Sequence, residues 1–67
     1  MRTFDEILRE LRIKEGLTQK ELAQELFVTV PTLSHWECGY QEPSFKDLIR
    51  ICQYFGVSAD YILGLND

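Results

Sequence analysis

Side chains able to do chemistry are few in this sequence, and their spacing limits what they can do. His35 is the one histidine and follows Ser34 directly. Neighbours on a helix point about 100° apart, so this serine and imidazole cannot form a nucleophile and base pair, and no carboxylate is placed to orient the histidine. Cys38 and Cys52 lie fourteen residues apart without CxxC spacing, a pattern of free thiols and not of a disulfide framework. A zinc site uses four ligands, and His35 with two cysteines falls short. The chain is therefore expected not to be an enzyme, and to hold neither metal nor cofactor. A chain of 67 residues buries only about 60% of its unfolded surface, which leaves no deep cavity for a small-molecule substrate.

Charge adds a further constraint. Seven Lys and Arg against eleven Asp and Glu give a net charge of −4, so the chain as a whole repels polyanions. The balance is uneven. Arg2, Arg9, Arg12 and Lys14 offset Asp5, Glu6, Glu10 and Glu15 in the first fifteen residues, and the acidic excess lies after Gly16. The apolar share is 45% and the charged share 27%, the composition of a folded domain. No apolar run approaches the roughly 20 residues of a membrane span, and Met1 to Glu10 are too charged for a secretory signal. The expectation is one cytoplasmic domain over residues 1–67 with no membrane partner.

Positioning the polar residues falls to helices, because Thr or Ser recurs just before apolar stretches of helical spacing and no segment alternates as a strand does. Thr3 and Glu6 form a capping box for a first helix with Phe4, Ile7, Leu8 and Leu11 on one stripe, ending at Gly16. Thr18 and Glu21 repeat the device for a second helix over about 19–26, with Leu17 stapled onto Leu22 and Ala23 and Leu26 inward. Thr29 opens a third, with Val28 stapled onto Leu33 and Pro31 in the first turn, running to about Glu37 before Gly39. Ser44 caps a fourth whose Phe45, Leu48, Ile49, Cys52 and Phe55 are expected on one face, closed by Gly56. Ser58 caps a fifth, with Val57 and Ile62 as staple and Gly64 as terminator.

Only Phe27, Val28 and Thr29 separate the second helix from the third, which forces a steep crossing: a helix-turn-helix. In this frame Leu17, Thr18, Gln19, Glu21, Leu22, Ala23, Leu26, Val28, Thr32, Leu33, Ser34, Trp36, Glu37, Gly39, Pro43 and Ser44 resemble the Cro/C1-type (XRE) helix-turn-helix family. The likeness continues through Phe55, Gly56, Val57, Ser58, Asp60, Tyr61, Leu63 and Gly64, nearly the whole chain. It implies an all-α, lambda-repressor-like fold of five short helices. It also implies a sequence-specific regulator of transcription that binds double-stranded DNA, with the third helix in the major groove and the second bracing it across the backbone.

Helical rotation turns Leu33 and Trp36 inward and sets Glu37 at the edge, while Pro31, Ser34, His35 and Cys38 face outward with Val30 beside them. The resemblance carries base reading onto Val30, Pro31, Ser34 and His35. His35 and Ser34 can bond base edges, and Val30 and Pro31 can pack on a thymine methyl. Phosphates are expected at helix starts and turns: Gln19 at the second helix, Thr29 at the third, and Gly39 and Tyr40 after it. Lys20 is either a phosphate contact or a solvated lysine, and Tyr40 either reaches the backbone or packs on the domain itself. In relatives the residues matching Arg12 and Glu37 form a buried ion pair, so these two, with Trp36, are assigned to support of the reader helix.

The chain departs from the family at two places. Phe27 stands where the turn usually has Gly, so either the turn relaxes or Phe27 accepts a left-handed conformation at roughly 1 to 2 kcal/mol. The reader has no Arg or Lys, which removes arginine recognition of guanine. Weak single-domain binding would be recovered by a homodimer on a pseudo-palindrome with half-sites about 34 Å apart. Tyr54, Tyr61, Ile62 and Leu65 supply apolar groups at the end furthest in sequence from the reader, most of them expected in the core of so small a chain, and Tyr61 and Leu65 are the expected dimer contact. The rival class is a protein-interaction module, an antitoxin or adaptor that binds another protein through Phe27 and the C-terminal end.

Overall fold

Capping decides where each helix of this chain begins. The structure, a computed structural model, describes residues 1–65. Its elements are α1 (Phe4–Lys14), α2 (Gln19–Leu26), α3 (Val30–Glu37), α4 (Phe45–Phe55) and α5 (Ala59–Ile62), with no strand among the described residues. The main-chain N–H of Thr3 donates to Glu6, and that of Thr18 to Glu21, each at 2.9 Å. The hydroxyls of Thr18, Thr29, Ser44 and Ser58 accept from the third residue of their helices. Donors that a helix start leaves unpaired are thereby satisfied locally. In α1 the first turn is acidic, Asp5 and Glu6, and the last basic, Arg12 and Lys14, as the helix dipole favours.

The helices enclose one core. Ile7 and Leu8 of α1, Leu22, Ala23 and Leu26 of α2, Leu33 and Trp36 of α3, Ile51 of α4 and Ile62 of α5 are all buried. Leu17, Val28 and Val57 pack against this cluster from just outside their helices, as the staple pattern requires. Gly64 is also buried, at φ +76°, and a Cβ there would meet the main-chain oxygen of Arg2 at 2.2 Å. Only glycine lets the end of α5 close onto the first residues of the chain.

The fourth helix corrects the sequence reading. Phe45 and Ile49, expected on its buried face, are 86% and 55% exposed, whereas Ile51 is fully buried. Leu48, Cys52 and Phe55 flank Ile51, a stripe of i, i+3, i+4 and i+7 spacing. Phe45 and Ile49 stand about 70° and 110° of helix rotation from its centre. Burial also pushes the Cys52 thiol up from its ordinary range.

The turn between α2 and α3 settles its alternative in favour of the left-handed conformer. Phe27 has φ 59° and ψ 40°, and its N–H and that of Val28 return to Gln24 and Ala23 at 3.3 and 3.0 Å. The chain therefore keeps the geometry of a glycine turn with a phenylalanine in it. Arg50 of α4 sits over the Phe27 ring at 5.1 Å and donates to the carbonyl of Leu26 at 3.2 Å.

Candidate nucleic-acid interface

The third helix is held from behind. Leu33 and Trp36 are buried in the core, and Glu37, expected at the edge of the stripe, is buried too, the one charged side chain so placed among the described residues. Its Oε2 accepts from Arg12 Nε at 2.7 Å, and its Oε1 accepts from Gln19 Nε2 at 3.1 Å. Arg12 also donates through Nη1 to the carbonyl of Leu17 at 2.9 Å. Both carboxylate oxygens are satisfied, so one buried charge ties α3 to α1, to the loop after α1 and to the start of α2.

The opposite face of α3 is open. Pro31 and Cys38 are exposed, Val30 marginally so, and Ser34 and His35 are half-buried. Val30, Pro31, Ser34 and His35 thus share the outward side that helical rotation assigns them. Pro31 stands in the first turn, where no intrahelical N–H is lost.

Groups at the helix starts and turns are placed less simply than the sequence suggests. The side-chain amide of Gln19 is engaged by Glu37, which leaves its main-chain N–H, at the first position of α2, as the group facing outward from the helix end. Lys20 beside it is exposed. The Thr29 hydroxyl is occupied by capping α3 and by the Thr32 hydroxyl at 3.0 Å. The Gly39 N–H, expected to be offered outward, instead closes α3 by donating to the Trp36 carbonyl at 3.4 Å. Tyr40 is 80% exposed, and its ring lies beside that of His35, 5.1 Å between centroids and tilted by 51°.

An open groove of about 360 Å³ runs beside the reader, lined by Arg9, Arg12, Gln19, Ser34, Glu37 and Cys38. Sequence reading missed Arg9, because it counted the α1 cations only as a balance against α1 acids. With Arg12 engaged by Glu37, Arg9 is the cation at the rim of this groove. At the far end of the molecule, Tyr61 is half-buried with the Arg2 guanidinium 5.7 Å above its ring, and Leu65 is exposed. Ile62, one of the four apolar groups at this end of the sequence, belongs wholly to the core, as expected for most of them.

Two short helices joined by a three-residue turn, the second braced by a buried ion pair and presenting an uncharged face, define a helix-turn-helix domain. A model of the helix-turn-helix family matches residues 8–62. The chain belongs to this Cro/C1-type family. It is 40% identical over 60 residues to YqaE of Bacillus subtilis (strain 168), an uncharacterized HTH-type transcriptional regulator, covering 90% of this chain and 52% of that protein. It is 38% identical over 60 residues to ImmR of the same organism, an HTH-type transcriptional regulator, covering 90% of this chain and 47% of the relative. The chain thus spans about half the length of these two curated relatives. Among solved structures, the P22 c2 repressor in complex with a synthetic operator superposes with a TM-score of 0.88 at 27% identity, over 94% of this chain and 96% of that one. A transcriptional regulator from Listeria innocua gives 0.88 at 32% identity, over 92% and 58%.

Proposed function

We propose that this chain is a sequence-specific double-stranded DNA-binding regulator of transcription, a repressor that acts by occupying its operator as a homodimer. The observation that carries this reading is the two-sided third helix. Its back is fixed by Leu33, Trp36 and the Arg12–Glu37 pair, and its front leaves Val30, Pro31, Ser34 and His35 open. A rigid helix with a free polar and apolar face suits base edges in a major groove. The likeness to a repressor bound to a synthetic operator supports the same use.

Around that face, the Gln19 main-chain N–H, Lys20, the Tyr40 hydroxyl and Arg9 in the groove are the groups that meet the phosphates, since the Thr29 hydroxyl and the Gly39 N–H are already engaged at the two ends of α3. Arg9 and Lys20 are the cations beside the contact, and affinity depends on the few phosphates neutralised there more than on the overall charge of −4. Dimer contact falls to Tyr61 and Leu65. The domain carries out no catalysis, uses no cofactor, and works in the cytoplasm.

Selection of binding sites from a randomised duplex library at low salt tests the proposal. Enrichment of a two-fold symmetric site with half-site centres about 34 Å apart is expected. A library that yields no enriched site overturns DNA reading in favour of an interaction module, with the exposed Phe27 and the C-terminal end as the surfaces to examine.

A further inference from the structure

We infer that Tyr40, outside the reader helix, is a specificity-determining positioning residue: its ring fixes the orientation of the His35 imidazole at the base edge. The inference rests on the DNA-reading function proposed above and deepens it. The two rings lie 5.1 Å apart between centroids, tilted by 51°, within the range of a favourable aromatic pair.

Three features of the backbone make this contact a consequence of how α3 ends. Gly39 adopts φ +77°, which turns the chain back over the helix, and a Cβ there would press on the Asp5 carboxylate at 3.3 Å. The Tyr40 N–H then donates to the His35 carbonyl at 2.9 Å, and the Gln41 N–H to the same oxygen at 3.2 Å. Tyr40 is thereby registered on the very residue whose side chain it touches. Tyr40 is 80% exposed, so the contact with His35 adds little to the core.

Orientation matters because a histidine ring rotates broadly about its second side-chain torsion and carries two distinct nitrogens. A free imidazole accepts or donates at several base edges, whereas one held beside the tilted Tyr40 ring offers its nitrogens in a restricted direction. Tyr40 therefore narrows the choice of base at the step His35 reads, without touching that base. The ring carries this effect, and the hydroxyl is left for the phosphate backbone.

The experiment compares the wild type with His35→Ala, Tyr40→Ala and Tyr40→Phe in site selection, with proton NMR of the His35 ring in each free protein. His35→Ala is expected to lower discrimination at one step of each half-site by about 5- to 150-fold, equivalent to about 1 to 3 kcal/mol. Tyr40→Ala is expected to lose at least about fivefold at that same step and to shift the His35 ring signals. Tyr40→Phe should keep the preference within about twofold, and the double alanine variant should add nothing at that step to His35→Ala. A Tyr40→Ala variant that binds all sequences more weakly with its base preference intact overturns the inference and leaves His35 as a reader. An unchanged preference in His35→Ala overturns the base-reading role itself, and this inference with it.

Discussion

Arg12 and Glu37 meet at 2.7 Å across 25 residues of chain, with their side chains only 14% and 4% exposed. The pair fixes the angle between the first helix and the reader, because the guanidinium also holds the Leu17 carbonyl and the carboxylate also holds Gln19. Removing one member strands the other charge in a buried site. Arg12→Ala or Glu37→Ala is therefore expected to lower stability by about 3 to 5 kcal/mol. Replacing both, as Arg12→Met with Glu37→Leu, should recover most of that loss. Urea unfolding of the three variants checks it, and a double variant as unstable as the sum of the singles would contradict the account.

Phe27 tolerates its left-handed backbone with help from Arg50. The guanidinium covers the ring at 5.1 Å and closes the end of α2 through the Leu26 carbonyl. A cation over an exposed aromatic face contributes about 0.5 to 1 kcal/mol. Phe27→Gly relieves about 1 to 2 kcal/mol of backbone strain and loses that contact, so the net change should be a stabilisation of no more than about 1.5 kcal/mol. Arg50→Ala should cost less in the Phe27→Gly background than in the wild type, with a coupling of about 0.5 to 1 kcal/mol. Additive losses in this double-mutant cycle would show that the ring and the guanidinium merely lie side by side.

Much of this architecture is legible in the sequence because its signals are local. Thr18 with Glu21, or Val28 with Leu33, declare a helix start within a few residues, and the helix-turn-helix follows from the three residues between α2 and α3. The outward face of α3 is equally legible, since rotation alone separates Ser34 and His35 from Leu33 and Trp36. What stayed hidden depends on distant partners. Ile51 takes the core position of α4 among Leu48, Cys52 and Phe55 while Phe45 and Ile49 stay exposed, and a helix with apolar residues on more than one side does not itself say which stripe will face inward. Gln19 turns its amide to Glu37, eighteen residues away. Arg9 gains its meaning only once α1, α2 and α3 form a common groove.

The capping box of α2 gives the domain an acid-sensitive joint. The Thr18 N–H, and next the Thr18 hydroxyl, hold the Glu21 carboxyl below its ordinary value of 4.5. A carboxylate depressed in the folded state contributes stability that is present above its unfolded value and is lost as pH falls through the folded one. Glu21→Gln keeps the acceptor for the Thr18 N–H and removes the titration. Urea midpoints of wild type and variant, measured from neutral pH downward, should converge or cross below about pH 4.5 as the wild type loses this contribution. Curves that stay parallel through that range would assign the box to hydrogen bonding alone.

An acidic domain that is to hold DNA as proposed needs a cation at the contact. Arg12 is committed to Glu37, so the rim of the groove beside Ser34 depends on Arg9 for its cation. An arginine that neutralises one phosphate contributes about −0.9 to the slope of log affinity against log salt per domain bound. Arg9→Gln is expected to make that slope shallower by about 0.9 for each domain on the site, and to weaken all sequences alike at low salt. Base preference should stay as in the wild type, because a phosphate contact sets position and affinity without distinguishing sequences. Fluorescence anisotropy on the selected duplex and on a scrambled one, across a salt series, measures both quantities together. A slope unchanged by the substitution would make Arg9 a solvated surface residue and leave Lys20 and the main-chain N–H groups to carry the backbone contacts. A change confined to one base position would instead place Arg9 in the groove as a reader.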